Sequence, residues 1–243
     1  MRKLTRYIFI AFAVAAGAFA LAPAQAADAE KPAVTVFKNV KVFNGRDDKL
    51  IDADVLVEGN LIKQVGKGLK ADGATVIDGG GGTLMPGMVN MHEHLLPNQS
   101  FDYLLTSAYW DEVGAGGLVR AQDLFDMGFT TVRDMGGPSE SIKMLIDTGV
   151  IPGSRILPSG PPISQTSGHF DYRPHQGVPE GNADPLTYWY RTRLLSLADG
   201  VPEVLKRVRE NLRYGAAQIK LATGGGVSSV YDPLDVAEYT VEE

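Results

Sequence analysis

The 243-residue sequence contains no cysteine and only four histidines. Without cysteine no disulfide can stabilise the fold, so the hydrophobic core must supply that stability. Thiolate ligands are also excluded, which limits the protein ligands of a transition metal to histidine, carboxylate or chemically modified lysine. The few histidines are therefore the first residues to consider in a search for a metal site.

An excess of positive charge is missing as well, because 23 basic side chains stand against 29 acidic ones and the formal net charge is −6. Proteins that bind nucleic acids usually need a basic surface to attract phosphates. We therefore expect no nucleic-acid partner. A hydrophobic fraction of 44% and a charged fraction of 21% are ordinary for a globular protein with one large domain or two small ones.

The main uncharged apolar run lies near the amino terminus and is short for a membrane span. Arg2, Lys3 and Arg6 precede the uncharged residues 7–21, and an Ala-Gln-Ala stretch ends at Ala26. A helix that crosses a bilayer needs about 20 apolar residues, whereas a shorter run with these flanks is typical of a secretory signal peptide. We predict a signal peptide over residues 1–26, export to the periplasm or the medium, and no stable membrane anchor. The alternative is an anchoring helix.

Residues 34–76 contain short strand-like runs separated by glycine, asparagine and aspartate, namely VTVFKNVKVF, ADVLVEGN, LIKQVGK and ATVID. This pattern is typical of a small antiparallel β unit. We predict a small β-sandwich-like domain over residues 27–83. The four consecutive glycines 79–82 predict a flexible turn that leads into the next strand.

From residue 84 the pattern changes to alternating strands and helices. Apolar spacing predicts helices at 116–127, 139–146 and 202–214, the second with Ser139 as its N-cap. Strands are predicted between them, at 129–135, 155–157 and 217–222. Such alternation favours βαβ units with a parallel sheet, whose natural closure is a barrel. Residues 158–185, rich in proline and glycine after a strand, predict a loop that contacts substrate.

The segment LMPGMVNMHEHL, residues 84–95, is the strongest functional signal. The two-residue period of a strand places Met88, Asn90, His92 and His94 on one face. Two neutral imidazoles at i and i+2 can bind one cation, since each nitrogen ligates zinc at roughly 2.0 to 2.1 Å. The alternative is a pair of histidines in a turn with no metal.

Four further groups of polar residues remain open from the residues alone. Lys220, in the strand-like AQIKLA, must be neutral or meet an anion if it is buried, and a structural ion pair is one alternative. Tyr231 either polarises a substrate carbonyl or packs in the core. Arg173 and His175 either bind a substrate carboxylate or are exposed charges. Adjacent Arg133 and Asp134 are interpreted as a structural pair.

Four segments together resemble the amidohydrolase superfamily, and most of all its secreted prolidase-like and imidazolonepropionase-like branch: LMPGMVNMHEHL, TTVRDMGG, SQTSGHFDYRPHQG and AAQIKLATGGG. The resemblance implies a (β/α)8 barrel of the TIM type behind a small β domain. It also implies a site with two zinc ions and hydrolysis of an amide bond by metal-activated water, with an Xaa-Pro dipeptide as the expected substrate. No oligomeric state follows from it.

The resemblance also implies roles for individual residues. His92 and His94 would bind the more buried ion, and Lys220, carboxylated by carbon dioxide, would bridge the two ions. His169 would face the substrate as a catalytic residue, although a histidine in a glycine-rich loop can also be merely solvated. Many relatives have aspartate where Asn90 stands; asparagine keeps the hydrogen-bonding shape but removes a negative charge beside the two histidines.

The resembling family also uses two further histidines and an aspartate from later strands. A (β/α)8 barrel takes roughly 250 residues, whereas 160 remain from Leu84 to Glu243. We therefore expect residues 84–243 to be a partial barrel that stops after the fourth strand. The alternatives to an active amidohydrolase are an exported fragment that at most binds metal weakly, and a phosphotriester or lactone hydrolase that uses the same ligands.

The signal-peptide hypothesis predicts the first residue of the mature protein. Amino-terminal sequencing of protein from the producing cell should begin at Ala27, because the small residues before it form the cleavage site. A chain that still begins at Met1 and fractionates with membranes would contradict the hypothesis.

Overall fold

The computed structural model describes residues 32–96, 100, 103–104, 107–173, 194–229 and 231–243. The predicted signal peptide, His175 and part of the predicted substrate loop lie outside these residues. By its internal contacts the chain divides into two compact units, with the boundary between Met85 and Pro86. Within the described ranges, every helix is too short or too polar to cross a membrane.

The first unit is one mixed sheet of five strands in the order β3-β2-β1-β4, with β5 also beside β1. The strands are β1 (Val34–Val42), β2 (Ile51–Glu58), β3 (Leu61–Gly66), β4 (Thr75–Asp78) and β5 (Thr83–Leu84). Strands β1 to β3 are antiparallel as predicted, but β4 and β5 run parallel to β1. The prediction of a wholly antiparallel unit is thus wrong, because residues 67–74 form a crossover connection instead of a tight hairpin.

A bulge in β1 sets the core of this unit. The pairing with β2 shifts between Phe37 and Val40, and Asn39 in this shift has a φ of 53°. The extra residue lets Phe37, Val40 and Val42 pack in one cluster with residues of β2. The glycine run closes over the bulge, where the amide of Gly79 donates to the Lys38 carbonyl at 2.8 Å. A Cβ at Gly79 would lie 2.2 Å from Val40, so the predicted flexible turn is a tightly packed one.

The second unit begins with three parallel strands in the order β6-β7-β8, namely β6 (Met88–Glu93), β7 (Phe129–Asp134) and β8 (Arg155–Pro158). Helix α1 (Trp110–Asp126) joins the first two strands and helix α2 (Glu140–Asp147) joins the second pair. These are two βαβ units, as predicted from the alternation. A short parallel pair follows, β9 (Ile163–Ser164) with β10 (Ser196–Leu197), and then helix α3 (Gly200–Arg213).

The predicted strand 217–222 is present only as a bridge. Leu221 pairs in parallel with Ile163, and the Ala217 amide donates to the Pro158 carbonyl at 2.7 Å. A regular ladder is interrupted because the neighbouring chain carries Pro158, Pro161 and Pro162, which have no amide hydrogen to donate. The segment nevertheless runs beside β8 and β9, where a fourth parallel strand was expected.

The N-cap prediction for α2 is correct in position and wrong in mechanism. Ser139 is the residue before the helix, but its side chain makes no capping hydrogen bond. Its ψ of 6° departs from the extended conformation that lets a cap hydroxyl reach the N2 or N3 amide. The Ser139 hydroxyl is instead buried near Asp134.

Helix α1 packs on the sheet through one stripe. Its buried residues Val113, Gly117, Ala121 and Leu124 recur at three- and four-residue spacing, which is the spacing of one helical face. They join a cluster with Val132 of β7 and Ile156 of β8. This core fixes the carboxyl end of β6, where the two histidines lie.

The core position of Leu124 predicts a large effect of truncation. Leu124→Ala should lower the free energy of unfolding by about 2 to 5 kcal/mol, because it removes buried methyl groups and leaves a cavity. Val119→Ala on the same helix is the matched control, since Val119 is 55% exposed and Leu124 only 2%. Urea unfolding measures both changes, and equal small losses would contradict the assigned core.

Candidate metal centre

The site is built at an irregular end of β6. Asn90 pairs with Val132 and Glu93 pairs with Asp134, so Met91 and His92 together lie opposite the single residue Arg133. This is a bulge of one extra residue on β6. His94 follows directly after the strand, and Leu95 and Leu96 then enter the core. The two histidines therefore lie where the strand leaves its regular pairing.

The two imidazoles point at one another. His92 Nε2 and His94 Nε2 lie 3.3 Å apart, and the ring centroids are separated by 5.3 Å. Two nitrogens that ligate one tetrahedral zinc at 2.0 to 2.1 Å are themselves separated by about 3.3 Å. Without a metal the same distance allows one ring to donate a hydrogen bond to the other. The predicted common face is thus observed, with His92 exposed and His94 half-buried.

The surroundings of His94 favour its neutral form. Burial lowers the pKa of His94, and the positive charges of His92 and Lys220 lower it further against the opposing effect of Glu93. Neutral imidazole is the form that binds metal ions. The backbone of Gly136 faces His94 Nδ1 so closely that a Cβ there would lie 3.2 Å from it. Nδ1 thus faces the protein, while Nε2 faces His92.

Lys220 lies in the segment that runs beside β9. Its carbonyl accepts a hydrogen bond from the Ile163 amide at 3.0 Å, which fixes its backbone beside β9. Its charge acts on His94, so the side chain lies within electrostatic range of the histidine pair. His92 and His94 are therefore adjacent, and Lys220 lies within electrostatic range of His94.

The donor set fits part of a metal site. The histidine pair supplies two nitrogens at the right separation for one divalent cation, and Lys220 adds an amine that can be carboxylated. Among the described residues, no group of three or more histidine, cysteine, aspartate and glutamate side chains is arranged to hold an ion. Lys220 would thus have to contribute an oxygen for a third ligand from these residues.

Three side chains accept hydrogen bonds from the backbone at the end of β6, and sequence reasoning did not assign this role to Glu93 or Asp134. Asn90 Oδ1 accepts from the His92 amide at 3.1 Å, and Glu93 Oε1 accepts from the His94 amide at 3.1 Å. Asp134 Oδ1 accepts from the Leu95 amide, also at 3.1 Å. The position of Glu93 between two histidines was the available signal, but the strand period places it on the opposite face.

Asp134 and Arg133 do not form the predicted pair. Successive strand residues point to opposite faces, and Arg133 Nη2 lies 3.4 Å from Met135 Sδ instead. The Asp134 carboxyl is fully buried with its Oδ2 atom unpartnered among the described residues. Burial raises the pKa of Asp134 to about 7, although the Ser139 hydroxyl and the Leu95 amide act to lower it.

His169 lies in a second cluster with the segment that follows Lys220. Its Nδ1 lies 2.5 Å from Ser229 Oγ and 3.7 Å from the buried carboxylate of Asp232. Its amide donates to Glu238 at 2.7 Å. Serine and aspartate share one ring nitrogen, so the three side chains do not form a nucleophilic triad, which needs both nitrogens. His169 is thus held by the protein, and its side chain is only 21% exposed.

Tyr231 is anchored by its hydroxyl, which donates to the Arg173 carbonyl at 2.6 Å. A phenol that polarises a substrate carbonyl would have to leave this bond, so the catalytic role of Tyr231 stays a prediction. The Arg173 guanidinium pairs with Asp171 at 2.6 Å and 17% exposure. That pair gives Arg173 an internal carboxylate in place of the expected substrate carboxylate.

The raised pKa of Asp134 predicts a pH-dependent stability. The unfolded carboxyl ionises near pH 3.8 and the folded one near 7, so this group destabilises the fold increasingly from about pH 4 to 7. Asp134→Asn keeps an oxygen for the Leu95 amide and cannot ionise. We expect the variant to gain up to a few kcal/mol on the wild type between pH 5 and 8. Urea unfolding at both pH values measures this.

Exposed Asp126→Asn on α1 is the control for that measurement, and it should follow the wild type at both pH values. Parallel pH profiles for the wild type and Asp134→Asn would show that the Asp134 carboxyl ionises normally in the folded protein.

Comparison with known proteins places these features in one family. The Amidohydrolase family profile matches residues 83–242. The ochratoxinase of Aspergillus niger is 31% identical over 170 residues, which are 66% of this chain and 35% of that protein. The chain thus spans about a third of the length of this curated relative.

Solved structures agree with that match. A prolidase in complex with N-methylphosphonate-L-proline superposes with a TM-score of 0.77 and 32% identity, over 85% of this chain and 50% of that one. A Xaa-Pro dipeptidase with methionine in its active site gives a TM-score of 0.73 and 27% identity, over 86% and 52%. The predicted fold class, the first half of an amidohydrolase barrel that follows a small β domain in the chain, is confirmed. The chain belongs to the amidohydrolase family.

Proposed function

We propose that the protein that contains this chain hydrolyses an amide bond with the help of a bound metal, and that its substrate is a dipeptide of the Xaa-Pro type. The observation that supports this most directly is the separation of 3.3 Å between His92 Nε2 and His94 Nε2 at the end of β6. Membership of the amidohydrolase family supports the same reaction class.

Three residues are assigned to the metal in this proposal. His92 and His94 would hold one divalent cation through Nε2, and Lys220, once carboxylated, would supply oxygen ligands for it and for a second one. Zinc is the expected metal because the pair offers two imidazole nitrogens, which are common zinc ligands. When bound, such ions supply a polarised carbonyl and a water of lowered pKa. The lowered pKa of His94 keeps its ring free of a competing proton.

His169 is proposed to contact the substrate. Ser229 and Asp232 lie on its Nδ1 side, so they fix the ring and leave Nε2 for a ligand. The ring also packs edge-on against Phe170 at a centroid distance of 4.7 Å, which limits its rotation. Tyr231, which lies beside Asp232 in the chain, is the second candidate. It would act on the scissile carbonyl only after release of the Arg173 carbonyl.

The substrate assignment follows the relatives. A prolidase in complex with N-methylphosphonate-L-proline and a Xaa-Pro dipeptidase each match 85% or more of this chain in structure. An ochratoxinase matches in sequence. In this proposal the substrate of the present protein is a small molecule or a dipeptide. Export through the predicted signal peptide would place the reaction outside the cytoplasm.

Removal of the metal residues tests the proposal. In protein expressed from the native gene, His92→Ala, His94→Ala and Lys220→Ala should each lower hydrolysis of Xaa-Pro dipeptides more than about 100-fold. That loss exceeds the 10- to 100-fold typical of residues that only orient ligands. Elemental analysis should show the loss of at least one zinc per chain in parallel.

Lys206→Ala is the matched control, since Lys206 is an exposed lysine of α3. It should keep both zinc and turnover. Full zinc and full turnover in Lys220→Ala would contradict the bridging role. A wild-type protein with zinc but turnover only on esters or lactones would contradict the amide substrate.

A further inference from the structure

We propose that Asn90, Glu93 and Arg120 form a brace that positions His92 and His94, and that this brace requires asparagine, not aspartate, at position 90. The inference rests on the proposed function for the role of the histidines as metal ligands. The brace itself is a set of hydrogen bonds among described side chains and backbone amides, and its members touch the histidines only through the main chain.

The bulge in β6 creates the need for the brace. Two residues of β6 lie opposite one residue of β7, so the regular ladder cannot satisfy every amide there. A backbone amide without an acceptor costs free energy when it leaves water. The His92 and His94 amides find their acceptors in side chains, Asn90 Oδ1 and Glu93 Oε1, each at 3.1 Å. These two bonds fix the backbone from which both imidazoles extend.

The two acceptors are joined to each other. Asn90 Nδ2 donates to Glu93 Oε2 at 2.7 Å, so one chain of hydrogen bonds runs from the His92 amide through Asn90 and Glu93 to the His94 amide. The amide group of Asn90 has one orientation that suits both neighbours, because its oxygen must face an N–H and its nitrogen a carboxylate. Neither histidine can shift its backbone without breaking a bond that the other depends on.

Arg120 holds the carboxylate end of this chain. Its Nη2 lies 3.3 Å from Glu93 Oε2 and 3.4 Å from Oε1, across the β6–α1 packing. Glu93 is 10% exposed at its side chain and so needs a counter-charge, whereas Arg120 is 40% exposed and keeps contact with water. The helix that carries Arg120 is fixed by the core, so the brace is tied to the scaffold.

The requirement for asparagine follows from donors and acceptors. Aspartate at position 90 could still accept from the His92 amide, but it would place a second carboxylate 2.7 Å from Glu93. Glutamine at position 93 gives the opposite conflict. If its oxygen accepts from the His94 amide, its NH2 group faces the NH2 group of Asn90, and neither can accept. Each single change therefore opens the brace. The double change Asn90→Asp with Glu93→Gln reverses the donor and the acceptor and keeps one negative charge.

This exchange is the test. In the full chain, amide hydrogen exchange at His92 and His94 should accelerate about tenfold or more in Asn90→Asp and in Glu93→Gln, as expected for loss of a charged hydrogen bond. Zinc affinity, measured by competition with a chromophoric chelator, should fall about 10- to 100-fold in each. Both quantities should recover most of the loss in the double variant, which restores the bond between positions 90 and 93 and gives up only the charge contact with Arg120. Asp123→Asn, an exposed acid on α1, is the control and should change neither.

The outcomes separate the brace from the proposed function. Unchanged exchange rates in the single variants, or a double variant worse than either, would overturn the brace. Exchange rates that follow the brace in a chain that binds no zinc would support the brace and contradict the metal role of the histidines. Zinc affinity that is insensitive to the singles while exchange accelerates would overturn the positioning role.

Discussion

The candidate site depends on where the backbone amides at the end of β6 find their acceptors. The bulge opposite Arg133 removes regular pairing from this stretch, and side chains take its place at His92, His94 and Leu95. Three acceptors, Asn90, Glu93 and Asp134, thus fix three amides within four residues. A strand that continued in regular pairing would need none of them. Without the extra residue, each histidine would also lie opposite a different residue of β7.

This arrangement gathers acidic groups beside the histidine pair and occupies them with other partners. Glu93 is occupied by two amide donors and Arg120, and Asp134 is buried beside Leu95 with a raised pKa. Carboxylates in these positions act on the pair through the backbone and through their charge. Any further ligand of the proposed metal would therefore have to come from other elements, and Lys220 is the candidate among the described residues.

The strand period was enough to predict that His92 and His94 share a face, because that inference needs only alternation over three residues. The alternating pattern likewise predicted the parallel β6-β7-β8 sheet and its helices. It could not predict the bulge, since an extra residue leaves no mark in hydrophobic spacing, and so Glu93 and Arg120 were missed. The interrupted strand at 217–222 was missed for a related reason: the prolines that break it belong to its neighbour, and their effect depends on strand pairing.

The histidine pair and Lys220 differ in how much of the fold each requires. The brace and the pair that it positions span five consecutive residues and one helix, so the pair is assembled within a single βα unit and its geometry is mostly local. Lys220 lies 126 positions beyond His94 and reaches the site through α3 and an irregular segment paired to Ile163. Long-range contacts are the costly ones to form, because the chain between them must be closed first. A metal that joined Lys220 to the pair would connect the end of β6 to the irregular segment beside β9, and it would stabilise the fold because it binds only the folded chain.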